Sequence, residues 1–307
     1  MLDYFLTIMN NKMVLLLKTL LFSFFLSSQL IAGDEVKSVN DQCKRIGSKL
    51  GSVSINDCLD IKLSVTDGWT VKDDVILIKE YPPLENRLPL GKVLLIGGIH
   101  GDEYSSVSIV FKWLKILEQH HSGLFHWNIV PLLNPDGLLR KKSQRMNENN
   151  VDLNRNFPMP DSQNWENTAI KYWIEEKGKD PRYYPGPEAL SEPESNWLVG
   201  HINTFQPDVI LAIHAPYGVI DHDGPRNAPD KLGSLYLSYL GTYPGSLGNF
   251  AGVQRQIPII TVELPYAGIM PTKEEIGNIW RDLVGWLRKN IVENDGSATQ
   301  EYDYDPE

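Results

Sequence analysis

Short apolar runs, each cut off by glycine or by a polar turn, set the strongest limit on what this chain can fold into. Val93–Ile96 is bounded by Gly91 and Gly97-Gly98, and Trp127–Leu133 ends at Asn134-Pro135-Asp136-Gly137. Val209–Ile213 and Ile257–Leu264 are of the same kind. Strands that lack a regular polar alternation are buried on both faces, which calls for a parallel-type sheet covered by helices on either side. The intervening segments supply the helices. Ser106–Gln119 repeats Val107, Val110, Phe111, Leu114 and Leu117 at helical spacing, and Glu274–Asn290 carries Ile276, Ile279, Trp280, Leu283 and Leu287 on one stripe. Gln163–Glu176 and Leu190–Thr204 also read as helices, the second with Glu192 and Glu194 near its start, where the helix dipole favours acids. Ile61–Val65 and Val75–Ile78 read as a strand pair turning at Asp67-Gly68. The pattern predicts an α/β domain with a largely parallel or mixed sheet.

The two ends differ from this middle. Met13–Ala32 is an apolar run entered by Lys18, too short after that lysine to span a bilayer and followed by small residues near Ala32 and Gly33. It predicts a signal peptide over residues 1–33, with Met13 as an alternative start, and a secreted or periplasmic product without stable membrane insertion after cleavage; an uncleaved anchor, or a cytoplasmic chain, is the alternative. Residues 34–60 read as a helical leader holding both cysteines, Cys43 and Cys58. An even pair behind an export signal predicts one disulfide, whose loop of about 15 residues contributes roughly 3 kcal/mol; without export both remain free thiols. The catalytic domain is expected over 61–291, and 292–307, rich in acids and free of bases, as a disordered tail. With 29 Lys and Arg against 39 Asp and Glu, the net charge of −10 argues against a nucleic-acid partner.

The chemistry gathers where strands end. His100 and Glu103 follow the run Val93–Ile96, and His214 directly follows Val209–Ile213. The C-terminal ends of strands are where α/β sheets place their sites, and two imidazoles with one carboxylate suit a catalytic Zn²⁺, which takes three protein ligands and keeps one position open. His120, His121, His126, His201 and His222 fall in helical or polar-loop contexts that fit exposed or structural roles better. Glu263 ends the apolar run Ile259–Val262. A carboxylate there is either a general base or the partner of a nearby arginine. Gln144–Phe157 holds Arg145 and Arg155 among several amides, a composition that suits an anion, or else a surface loop paired internally through Glu148 and Asp152.

Taken in order, His100-x-x-Glu103, Asn134-Pro135-Asp136-Gly137, Arg145-x-Asn147, Val151-Asp152-Leu153-Asn154-Arg155-Asn156-Phe157, His214 and Glu263 resemble the zinc carboxypeptidases of the carboxypeptidase A type. With Pro244-Gly245-Ser246-Leu247-Gly248, they most resemble the murein peptide amidase A branch, over about residues 60–290. The resemblance implies a mixed, mostly parallel central sheet of about eight strands sandwiched by helices. It implies His100, Glu103 and His214 as ligands of one zinc, Glu263 as general base and acid, and Arg145 on the scissile carbonyl. It further implies Asn154 and Arg155 as the grip on a terminal carboxylate. Asn150 stands where the motif usually has glycine, a change that asparagine's tolerance of left-handed backbone accommodates. The tyrosine found near the scissile bond in the digestive enzymes has no clear match in Tyr239 or Tyr243.

The activity so implied is hydrolysis of an amide next to a free carboxylate, here the γ-D-glutamyl–meso-diaminopimelate bond of murein peptides, with a peptide or muropeptide as the partner. The alternatives are a general metallocarboxypeptidase and a zinc-bearing but inactive peptide-binding module. Diaminopimelate brings a second amine, for which Asp221 and Asp223 are candidates; an acidic surface turn at Gly224-Pro225 is the other reading of that pair.

Overall fold

The computed structural model describes residues 38–85, 88–160 and 162–291. Residues 1–33, expected as a signal peptide, and 292–307, expected as a tail, lie outside the described residues. Helix α1 covers residues 38–49 and α2 is Ile55–Leu59. The strands are β1 (Ser64–Trp69), β2 (Val75–Tyr81), β3 (Lys92–Ile96), β4 (His126–Val130), β5 (Val209–His214), β6 (Val219–Asp223), β7 (Lys231–Leu232), β8 (Leu235–Leu237) and β9 (Ile259–Glu263). They form one sheet in the order β1-β2-β4-β3-β5-β9-β6-β8-β7. Its centre, β4-β3-β5-β9, is parallel, while β2 joins β4 and β6 joins β9 antiparallel. The mixed sheet between helices therefore matches the expected class, with nine strands among the described residues.

The unbroken apolar runs follow from side chains pointing alternately to the two faces of a strand. Val93, Leu95, Leu211, Ile213 and Val262 enter the layer that packs on α3 (Tyr104–His120) and α7 (Lys273–Asn290), through Trp113, Leu114, Ile279 and Leu283. Leu94, Ile96, Ile210, Ala212 and Ile259 enter the opposite layer, with Leu198, Ile202 and Phe205 of α6 (Pro193–Phe205) and with Phe157 and Phe250. Cys43 and Cys58 are joined by a disulfide, with 5.4 Å between their Cα atoms, and both are buried in the first of these layers. Residues 38–60 are thus part of the same core as the sheet.

Several sequence expectations shift. Asp67-Gly68 is not a turn; it lies within β1, where the pairing with β2 is irregular, and the turn falls at 70–74. The glycine is needed for contact: a Cβ there would lie 2.5 Å from the Trp197 ring of α6, whose Nε1 donates to Asp67 Oδ1 at 2.9 Å. The expected helix 163–176 splits into a 3-10 segment, Ser162–Asn167, and α5 (Ala169–Glu175). Leu190 sits at positive φ outside α6, which begins only at Pro193. The stretch holding His222, expected as a polar loop, is strand β6, and His222 is buried in it. Two of its residues, Asp221 and Asp223, line a cavity, which removes the apolar alternation that would have marked a strand. For the same reason the pair is not a surface turn.

Candidate metal centre and anion pocket

Four parallel strands deliver their C-terminal ends to one edge, and the loops beyond them are locked together before any ligand group is placed. After β3 the chain reverses through Gly97 and Gly98, the latter at φ 62°. Gly101 then runs against the backbone of Gly137, so closely that a Cβ would sit 2.2 Å from its carbonyl carbon. Asn134 joins the loops. Its Oδ1 accepts from Gly137 N at 2.8 Å, capping α4 (Pro135–Leu139). Its Nδ2 donates to the carbonyls of both Ile99 and Arg145 at 3.2 Å. One amide therefore sets the loop carrying His100 against the loop carrying Arg145.

His100, Glu103 and His214 converge. His100 Nδ1 lies 2.7 Å from Glu103 Oε1, and His214 Nδ1 lies 3.2 Å from both Glu103 Oε2 and His100 Nδ1. All three are buried, and one ligand atom from each falls within 4.8 Å of the others. Burial alone would raise the Glu103 carboxyl, but the two imidazoles outweigh it and hold it well below the usual range. The other ring nitrogen of His100, Nε2, lies 3.1 Å from Asp152 Oδ1, and the neutral tautomer that donates there would present its Nδ1 lone pair to a metal. A buried carboxylate fixing the tautomer and angle of a ligating histidine is the usual support of a metal site. The donor set and its convergence fit a tetrahedral zinc with one position free.

Glu263 ends β9 directly beside His214, its register partner on β5. It is 7% exposed, and burial pushes its carboxyl upward. Its Oε2 accepts from Tyr217 N at 3.5 Å. The arginine partner that one reading gave it is not found among the described residues. Arg145 instead donates from Nε to Asp152 Oδ2 at 2.9 Å and brings Nη1 to 3.6 Å from Glu103. Asp152 thus serves both a candidate ligand and a candidate catalytic cation. Its support of His100 was not expected from the sequence; the signal was an acid enclosed by Val151 and Leu153 in an otherwise polar stretch.

Arg155 is 7% exposed and forms no ion pair among the described residues. Its guanidinium lies over the Tyr243 ring at 4.5 Å and donates from Nη1 to Asn154 O at 2.6 Å, while its buried Nε has no hydrogen-bond partner among the described residues. Burial lowers its affinity for the proton. Asn154 Oδ1 accepts from Leu247 N at 2.9 Å, which sets the amide orientation and leaves Nδ2 as the donor for a ligand. The stretch Pro244–Gly248 wraps this pair so tightly that a Cβ on Gly245 would sit 2.0 Å from Arg155 O. Asn150 adopts the left-handed conformation expected of it, φ 61°.

These groups line one cavity of about 430 Å³. All seven site residues named from the sequence share it: His100, Glu103, His214, Glu263, Arg145, Asn154 and Arg155. Asp221 and Asp223 lie on its wall, along β6. Asp221 Oδ1 accepts from His222 N and Leu240 N, and burial together with Asp221 pushes the Asp223 carboxyl up to about 6. Tyr243 lines the cavity, whereas Tyr239 is exposed.

Residues 89–177 match the succinylglutamate desuccinylase/aspartoacylase catalytic domain. The murein peptide amidase A of Vibrio campbellii is 30% identical over 181 residues, covering 56% of this chain and 68% of that protein. That of Escherichia coli K12 is 29% identical over 206 residues, covering 65% and 81%. The crystal structure of the murein-tripeptide amidase from Escherichia coli O157 superposes with a TM-score of 0.51 at 26% identity, over 72% of this chain and 90% of that one. Carboxypeptidase A from Helicoverpa armigera shares the fold, with a TM-score of 0.57 at 18% identity over 74% and 68%. The chain is a hydrolase of the peptidase type with the carboxypeptidase fold, and by its ordered motifs and these relatives it belongs to the murein peptide amidase A family.

Proposed function

We propose that this chain is an exported zinc peptidase that cleaves the γ-D-glutamyl–meso-diaminopimelate bond of murein peptides. The observation that carries the reading is one cavity holding a three-ligand cluster, with a buried carboxylate beside it and a buried guanidinium, neither of them in an arginine or carboxylate ion pair among the described residues. A buried charge with no counter-charge is costly without a ligand, and together the two match a peptide end. The names of the relatives support a murein substrate, and the Cys43–Cys58 disulfide supports an oxidising compartment. Residues 1–33 as signal peptide and 61–291 as the catalytic unit complete the proposal.

His100, Glu103 and His214 would hold the metal. Bound zinc supplies Lewis acidity, acidifying water and polarising a carbonyl. Glu263 takes the proton from the attacking water, whose oxygen bonds to the amide carbon. Arg145, held by Asp152, faces the oxygen that becomes negative. When the carbon–nitrogen bond breaks, Glu263 passes that proton to the departing amine. Arg155 and Nδ2 of Asn154 grip the carboxylate beside that amine, and Asp221 with Asp223 receives the second ammonium of diaminopimelate.

Mass spectrometry of the purified tripeptide, before and after incubation with the zinc-loaded enzyme, tests this. Free diaminopimelate is the expected product, and Glu263→Gln should retain zinc while losing about 10²–10⁴-fold in kcat. Faster turnover of ordinary peptides than of the tripeptide would mean a general carboxypeptidase. Zinc binding with no turnover of either would mean a binding module.

A further inference from the structure

Lys177 follows the C-terminus of α5 and lines the same cavity. Its Nζ lies 5.5 Å from the ring centre of Tyr172, 5.3 Å from Tyr183 and 5.2 Å from Tyr243. Three phenol faces hold one ammonium, and the rings of Tyr172 and Tyr243 lean on each other at 6.1 Å. Two of these rings carry a second cation as well: Tyr243 carries Arg155 at 4.5 Å, and Tyr183 carries Arg145 at 5.3 Å. Cations crowded onto shared rings repel one another, and at this range salt screens them little.

Acids relieve only part of this charge. Arg145 has Asp152 at 2.9 Å, and Arg182, at the mouth, has Asp102 at 2.9 Å. Arg155 and Lys177 form no ion pair among the described residues. A single carboxylate bound by Arg155 and Asn154 would leave the Lys177 charge still uncompensated. The tyrosines restrict the flexible lysine stem, so that less rotamer freedom remains to be lost when an anion binds. The cavity thus presents two separate, pre-placed positive groups at one end, and the acidic pair Asp221 and Asp223 on its wall along β6.

We propose that Lys177 is a specificity-determining residue that binds a second carboxylate on the departing residue of the substrate, while Arg155 and Asn154 bind the first. The assignment rests on the peptidase reading above. It makes a dicarboxylic departing residue the preferred one, and it gives the tyrosine cage the task of holding the lysine on the cavity wall.

The test uses the zinc-loaded enzyme and two tripeptides: one ending in meso-diaminopimelate, the other in lysine, which keeps the ammonium and lacks the distal carboxylate. The unmodified enzyme should favour the first. Lys177→Met keeps the stem against the tyrosines and removes the charge, and it should cut that preference in kcat/KM by about 10–100-fold, the worth of a charge-assisted hydrogen bond. The loss should fall mainly on KM, and Lys177→Arg should restore much of it. An equal loss on both tripeptides would overturn the proposal, leaving Lys177 as a clamp on the tyrosines and the peptidase reading intact. Equal turnover of both tripeptides by the unmodified enzyme would also overturn it. Turnover of neither would overturn the peptidase reading itself, and this proposal with it. If Lys177→Met lowers the melting temperature sharply, Lys177→Arg decides the matter: a preference unlike that of the unmodified enzyme refutes the assignment.

Discussion

Replacing Asp152 by asparagine keeps the shape of a fully buried side chain and removes its charge. Three donors meet this carboxylate: His100 Nε2 at 3.1 Å and Asn154 N at 3.0 Å on Oδ1, and Arg145 Nε at 2.9 Å on Oδ2. Burial would raise this carboxyl, but Arg145 and His100 hold it far below the usual range, so it is charged in the folded protein at every ordinary pH. Asparagine can keep the Oδ1 contacts, but it then turns an NH₂ group toward the Arg145 N–H. A charge-assisted hydrogen bond worth about 1.5–3 kcal/mol is lost and the Arg145 guanidinium keeps only the longer contact with Glu103, at 3.6 Å, so the total should reach about 3–5 kcal/mol. In a chain of this size each kcal/mol moves the melting temperature by about 2–4 °C, which gives a drop on the order of 10 °C. His100 also loses the acid that fixes its tautomer, so zinc affinity should fall about 10–100-fold. Thermal scans of the zinc-loaded protein and a chelator competition measure both effects. A melting temperature within about 2 °C of the parent, with zinc affinity within about threefold, would show that Asp152 does not position this site.

Glu194, fully buried and bonded to Asn147 Nδ2 beside Glu192, is pushed up to about 7 by burial and by the neighbouring acids Asp136 and Glu192. The unfolded chain releases this proton near the ordinary carboxylate value and the folded chain only near 7, so folding stability falls as pH rises between them, by about 3 kcal/mol in total. Glu194→Gln should remove that decline from a series of urea titrations, and an unchanged slope would refute the assignment. Gly245→Ala forces a Cβ against Arg155 O at a residue with φ 72°, so KM for the tripeptide should rise while zinc content holds; an unchanged KM would refute the coupling. The Cys43→Ser/Cys58→Ser pair opens a loop of 15 residues and should lower stability by about 3 kcal/mol in urea unfolding; no change would mean the packing of α1 on the core suffices.

The candidate metal ligands and the base were legible because each stands at the end of a local apolar run, and such runs in a doubly covered sheet must be parallel neighbours. His100, His214 and Glu263 then arrive at one edge by topology alone. Strand β6 was not legible. Its cavity-lining residues Asp221 and Asp223 face a ligand space, so the alternation that marks a strand is missing from them. Asp67-Gly68 misled because glycine there admits the Trp197 ring, and a contact partner far along the chain leaves no trace beside it.

Whatever depends on neighbours along the chain could be read without coordinates: the covered sheet, the strand ends and the ligand types they carry. How charges are shared emerges only on folding. Asp152, 52 residues from His100 in sequence, meets His100 Nε2 and Arg145 Nε with its two oxygens. Arg155 forms no ion pair among the described residues, and Lys177 is caged by tyrosines drawn from three separate segments. A charge interacts with whatever folding brings within a few ångströms of it, in a surrounding whose dielectric is set by burial, and neither the distance nor the burial is a property of the local sequence.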